Sequence, residues 1–80
     1  MIEKVNVVVY PEGDTQSIDM PLTINQVVDV NGRPLMLPLP TNRMIAFRVH
    51  RINTRQTRNE EIREHHLEII NAEELREFVD

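Results

Sequence analysis

The side chains able to do chemistry are three histidines, a block of arginines and a surplus of carboxylates. His50, His65 and His66 carry the imidazoles of a metal site. Residues 65 and 66 are neighbours, however, and neighbouring side chains of a strand point to opposite faces. They cannot both join His50, and two imidazoles with a carboxylate such as Glu64 or Glu68 make a weak site. Solvent-facing or acid-paired histidines are expected, with no metal and no cofactor.

Arg43, Arg48, Arg51, Arg55 and Arg58 could line a positive surface for phosphates. Small barrels do bind oligonucleotides. Two features oppose a nucleic-acid site: no exposed aromatics are interleaved to stack bases, and the pI of 5.3 is low for such a domain. The favoured expectation pairs the arginines with Glu60, Glu61, Glu64 and Glu68 on a neighbouring strand.

Catalysis has little to work with. The acids lie in runs such as Glu60-Glu61 and Glu73-Glu74, which usually form a solvated face rather than a cleft pair. Ser17 is the only serine and stands in no nucleophile motif. Gly13 and Gly32 are the only glycines, too few for a phosphate loop. Cysteine is absent, which excludes thiol nucleophiles, thiolate zinc sites and disulfides. The chain is expected not to be an enzyme.

Charge is segregated along the chain. Residues 1–29 set Lys4 against Glu3, Glu12, Asp14, Asp19 and Asp29, a balance of −4. Residues 30–59 hold six arginines and no acid, and residues 60–80 hold eight acids against Arg63 and Arg76. Acidic and basic surfaces of different copies can therefore meet. A face carrying Val27 and Met36 either stays exposed, where flexible methionine suits a partner surface, or is covered by residues 1–20 or the terminal helix. The expected function is a non-catalytic interaction or assembly module, homo-oligomeric, with Val27, Met36, Arg48 and His50 in its contact region. The alternative is a small nucleic-acid binder using the arginines of 43–58.

The elements that must position these groups are mostly strands. Val5, Val7 and Val9 alternate with Lys4, Asn6 and Val8 through Met1–Tyr10, a strand with one buried face. Pro11-Glu12-Gly13-Asp14 is a turn, and a short strand over Gln16–Met20 follows. Asn31-Gly32 between apolar runs predicts a two-residue hairpin turn, with Val30 facing Arg33 and Val28 facing Leu35. Pro34, Pro38 and Pro40 then fall where a missing N–H turns outward, which makes residues 34–40 an edge strand. Thr41-Asn42-Arg43 is a turn. Met44–Ile52 is a strand with Ile45, Phe47 and Val49 inward and Ala46, Arg48 and His50 outward. The alternation slips at Arg51-Ile52, where a β-bulge would restore it. Asn53–Asn59 reads as a loop.

Residues 60–70 have helix-forming composition but a poor apolar stripe, so a strand is expected. Two registers against the preceding strand are open: Ile45 with Ile69, or Phe47 with Ile69 and Arg48 with Glu68. Asn71–Asp80 is a helix, with Asn71 as cap and Glu74 three residues on. The resulting class is mainly β (α+β): a small antiparallel barrel or curled sheet of about five short strands with one C-terminal helix.

At 80 residues the chain makes one domain, 1–80. Its apolar fraction of 40% fits a folded protein. With only Tyr10, Phe47 and Phe78 as aromatic rings besides histidine, the core must be aliphatic. No apolar run reaches the roughly 20 residues that span a bilayer, and the N-terminus lacks signal-peptide character. No membrane partner and a cytoplasmic location are expected.

Overall fold

The computed structural model describes residues 2–41 and 43–79. Met1 of the expected first strand, Asn42 of the expected turn and Asp80 of the expected helix lie outside the described residues. The elements are β1 (Glu3–Val9), β2 (Thr15–Ile18), β3 (Val27–Val28), β4 (Phe47–Gln56), β5 (Glu60–Ile69) and α1 (Ala72–Glu77). They form one curled, half-barrel sheet in the order β2-β1-β5-β4-β3. The mainly β class with a C-terminal helix is therefore what forms. One pair departs from the antiparallel expectation: β1 and β5 run parallel. β3 adds to the border of β4, and two hairpins, β1–β2 and β4–β5, join through β1 and β5. That join links residues more than fifty positions apart, beyond the reach of local patterning.

β5 is a strand, as expected, and its register begins with Phe47 facing Ile69 and Arg48 facing Glu68. The register shifts between Val49 and Arg51. His50 is thus the extra residue of a bulge, one position before the slip in the sequence pattern. The bulge returns Ile52 to the face of Phe47 and Val49, where it packs against the core. β4 then continues through Gln56, which corrects the expected loop at 53–59. The sheet is wet on both faces there, so no apolar alternation marks the strand. The chain reverses at Thr57, whose N–H donates to the Glu60 carbonyl at 2.8 Å.

The hairpin after β3 also differs from expectation. Asp29 donates to the Arg33 carbonyl at 2.9 Å, and Gly32 donates to the Asp29 carbonyl at 3.0 Å. The loop therefore has three residues, Val30-Asn31-Gly32, and Val28 faces Pro34 rather than Leu35. Asp29 decides this: its Oδ1 accepts from the N–H groups of Asn31 and Arg33 at 2.8 and 3.0 Å. This local bonding favours a turn with a single left-handed residue, Gly32 at φ 78°. The proline parity survives the shift, because Leu35 donates inward to the Val27 carbonyl while Pro34 turns outward. No edge strand spans 34–40. The arm makes one bridge at Pro34 and another where Leu39 meets Val79 beyond α1.

Two apolar clusters hold the sheet. On the concave face Val8, Leu22, Val28, Phe47, Val49 and Leu67 are buried, with Tyr10, Ile18 and Ile52 against them. On the convex face α1 covers only one end, over Val27, Leu39, Ala46, Ile70 and Leu75. Ala46, expected outward, is buried beneath this helix, and Ile45, expected inward, is 56% exposed. The second cluster inverts the preference: an apolar contact exists on both faces at this end, and the helix claims Ala46. Asn71 caps α1, accepting from Glu74 N–H at 2.9 Å, as expected. Among the described residues no helix is long and apolar enough to cross a membrane.

Candidate functional site

The bulge and the sheet registers decide where each chemical group points. Arg48 lies on the convex face opposite Glu68. Its Nε and Nη2 donate to Glu68 Oε1 at 3.0 and 2.7 Å, and its Nη1 donates to Glu74 Oε2 at 2.7 Å. A planar guanidinium suits this double engagement, so Arg48 ties α1 to the sheet. The Glu74 bond first, and then the Glu68 bond, raise its pKa and hold it charged.

Arg51 and Arg55 follow on the same face. Arg55 reaches Glu64 only loosely, at 3.7 Å, with 60% of its side chain exposed. Among the described residues Arg43, Arg51 and Arg58 make no ion pair; Arg43 lies in the loop before β4 and Arg58 at the tip of the β4–β5 hairpin. The expected pairing with glutamates thus holds fully for Arg48, weakly for Arg55, and not for the other three. The block does not converge on one pocket.

The histidines separate as adjacency requires. His50 is exposed at the bulge, its ring centroid 6.5 Å from that of His66. His66 Nε2 is buried without a hydrogen bond and lies 3.9 Å from Glu64 Oε1. His65 corrects the expectation of a solvent-facing or acid-paired side chain, for it is completely buried on the concave side. Its Nε2 accepts from the Leu22 N–H at 3.0 Å, and its Nδ1 lies 2.9 Å from the Val7 carbonyl. One partner is a donor and the other an acceptor, so the ring carries its proton on Nδ1. His65 fastens the 19–26 crossing segment to the sheet. Period-two alternation alone could have flagged it, because it shares a face with Leu67.

Of the expected contact residues, Met36 is 88% exposed and stands at the surface as anticipated. Val27 does not: it is 4% exposed and packs under the arm and α1. The error came from assuming a continuous edge strand, whose outer face Val27 would have shared. Leu37, Ile45 and Ile69 are also half or more exposed. Ile69 and Ile45 flank Phe47 on the concave side, beyond the reach of the hairpin.

An open hollow of about 270 Å³ at the other end is lined by Lys4, Asn6, Pro21, Thr54, Glu61 and Arg63. It brings together mixed charges and amides but pairs no nucleophile with a base. Among the described residues no three histidine, aspartate or glutamate side chains converge to hold a metal.

Fold and surface together define a small half-barrel whose exposed groups are unpaired arginines, solvent-facing aliphatics and open strand edges. The chain belongs to the family described as "Uncharacterised Treponema protein", whose model matches residues 4–78. No match was found among curated proteins or solved structures.

Proposed function

We propose that this chain is a non-catalytic assembly module that binds further copies of itself. One observation carries the reading: Met36, Leu37, Ile45 and Ile69 expose 88, 50, 56 and 59% of their surface. Large aliphatic side chains left in water on so small a body mark a protein contact rather than a reaction site. Charge segregation supports copies of the same chain as the partner, since each carries a basic and an acidic segment. Arg48 and His50, at the start of the basic strand, belong to this region; Arg48 does so through the helix it anchors. Sedimentation equilibrium over a range of concentrations tests the reading. Association that strengthens with concentration and weakens in Met36→Ser or Ile69→Ser supports it, and a strict monomer at millimolar concentration overturns it.

A second reading, nucleic-acid binding, is favoured by the freedom of Arg43, Arg51 and Arg58 from ion pairs among the described residues. Its test is a gel shift with mixed RNA and DNA at about 50 mM salt. Affinity falling steeply with salt supports it, because phosphate contacts release counterions. A cytoplasmic location belongs to the same proposal, and cell fractionation checks it.

A further inference from the structure

We infer that copies of this chain join edge to edge, the free edge of β4 in one copy adding to the free edge of β2 in the next. This rests on the self-association proposed above and adds to it a joint that lies apart from the exposed aliphatics. β3 covers only the beginning of β4: Val27 and Val28 face Arg48 and Phe47, while Asn25 and Gln26 bond to Val49. Beyond His50, no backbone group among the described residues bonds to the outer side of β4. Thr57 donates across the hairpin to Glu60. The alternation of an antiparallel ladder then turns Arg55, Asn53 and Arg51 toward β5. It leaves Ile52, Thr54 and Gln56 with N–H and C=O groups pointing out. At the opposite border Tyr10 donates to the Asp14 carbonyl. This turns Gln16 and Ile18 toward β1 and Thr15 and Ser17 outward. Neither edge contains proline or lysine, so each is a template for another strand.

The two edges agree in height, direction and charge. Rows of facing residues run straight across the sheet: Thr15, Val9, His66 and Arg51 form one, and Ser17, Val7, Glu64 and Asn53 another. β2 therefore lies level with the open part of β4. β1 and β5 are parallel and each opposes its hairpin partner, so β2 and β4 run the same way. A second copy rotated about an axis along the strands brings its β2 beside β4 as a parallel pair, with Asp19 level with Arg55. The β4 edge carries Arg51, Arg55 and Arg58, and β2 is flanked by Glu12, Asp14 and Asp19. Pairing β4 with β4, or β2 with β2, would set like charges together. The joint is thus head to tail, a kind that builds rings or open chains.

Proline substitution separates the two edges. Ser17→Pro and Thr54→Pro each remove one outward N–H that no bond among the described residues uses, and circular dichroism checks that each folds. Sedimentation should show each variant unable to extend, while an equimolar mixture forms one-to-one dimers through the remaining intact edges. Arg55→Asp should weaken wild-type association roughly tenfold at low salt, and adding Asp19→Arg should restore it. This charge pair serves as the test where a proline variant does not fold. Self-association unchanged by these substitutions overturns the edge joint and leaves the assembly reading standing. A wild-type chain that stays monomeric overturns both.

Discussion

At the residue scale, two polar side chains, one of them buried, fasten the cover of the concave face. Replacing His65 with Leu keeps the volume but strands the buried Leu22 N–H. Each buried group left unpaired costs about 1–3 kcal/mol, so His65→Leu should melt well below wild type by calorimetry. Nitrogen NMR of the wild-type ring should show the Nδ1–H tautomer that its partners require. Tyr10 is the second group: its hydroxyl donates to the Val30 carbonyl at 2.8 Å, and its ring packs edge-on against Phe47. Burial raises its pKa above the ordinary 10.0, and the negative charges of Asp29 and Glu12 add to this. The folded state keeps the proton at a pH where the unfolded chain has lost it. Stability from this group is complete below about pH 10 and is lost as pH climbs through the folded value. As the chain has one tyrosine and no tryptophan, absorbance titration reads this ionisation cleanly. Its midpoint should lie above that of the denatured chain, and Tyr10→Phe should abolish the matching alkaline loss of stability.

At the element scale, the 29–33 hairpin and α1 are each held by one critical contact. A methyl group on Gly32 would sit 3.2 Å from Val8 Cγ2 and 3.3 Å from Ile18 Cγ2. It would also occupy a left-handed backbone, which costs about 1–2 kcal/mol for an L side chain. Gly32→Ala should therefore lower the melting temperature by roughly 4–8 °C for each kcal/mol lost, and should loosen the Gln16 Nε2 bond to the Asn31 carbonyl. α1 spans only six residues and depends on the Arg48 clamp. Arg48→Lys cannot reproduce a fork to Glu68 and Glu74. Amide exchange in residues 72–77 should accelerate in that variant while β1 and β5 stay protected. Equal loss of protection across the sheet would show that the clamp does more than hold the helix.

At the scale of the whole molecule, the body measures 45 × 22 × 17 Å, and the tip of the β4–β5 hairpin, residues 53–59, is exposed. Surface charge should govern assembly there. If the Arg55–Asp19 contact between copies forms, association should weaken between about 0.05 and 0.5 M salt, as exposed charges are screened beyond roughly a Debye length. Light scattering over that range provides the check, and a salt-independent mass would point to the exposed aliphatics instead.

The elements with local signals were legible in the sequence: the valine-rich strand β1, although Val8 and not Val5, Val7 or Val9 is its buried residue, the Asn71 cap and the bulge that realigns Ile52. The Arg48–Glu68 pairing was one of two open registers, and the structure chose between them. Only the tertiary structure decided the parallel meeting of β1 and β5, the burial of Val27 and Ala46 beneath α1, and the anchoring of Leu22 by His65. The physical reason is range. Alternation and capping act within a few residues, whereas these contacts join distant segments whose facing side chains leave no periodic trace. The three-residue loop at Val30–Gly32 marks the border between the two: the Asp29 side chain two to four residues away chose the turn, and the docking of Gly32 on Val8 and Ile18 completed it.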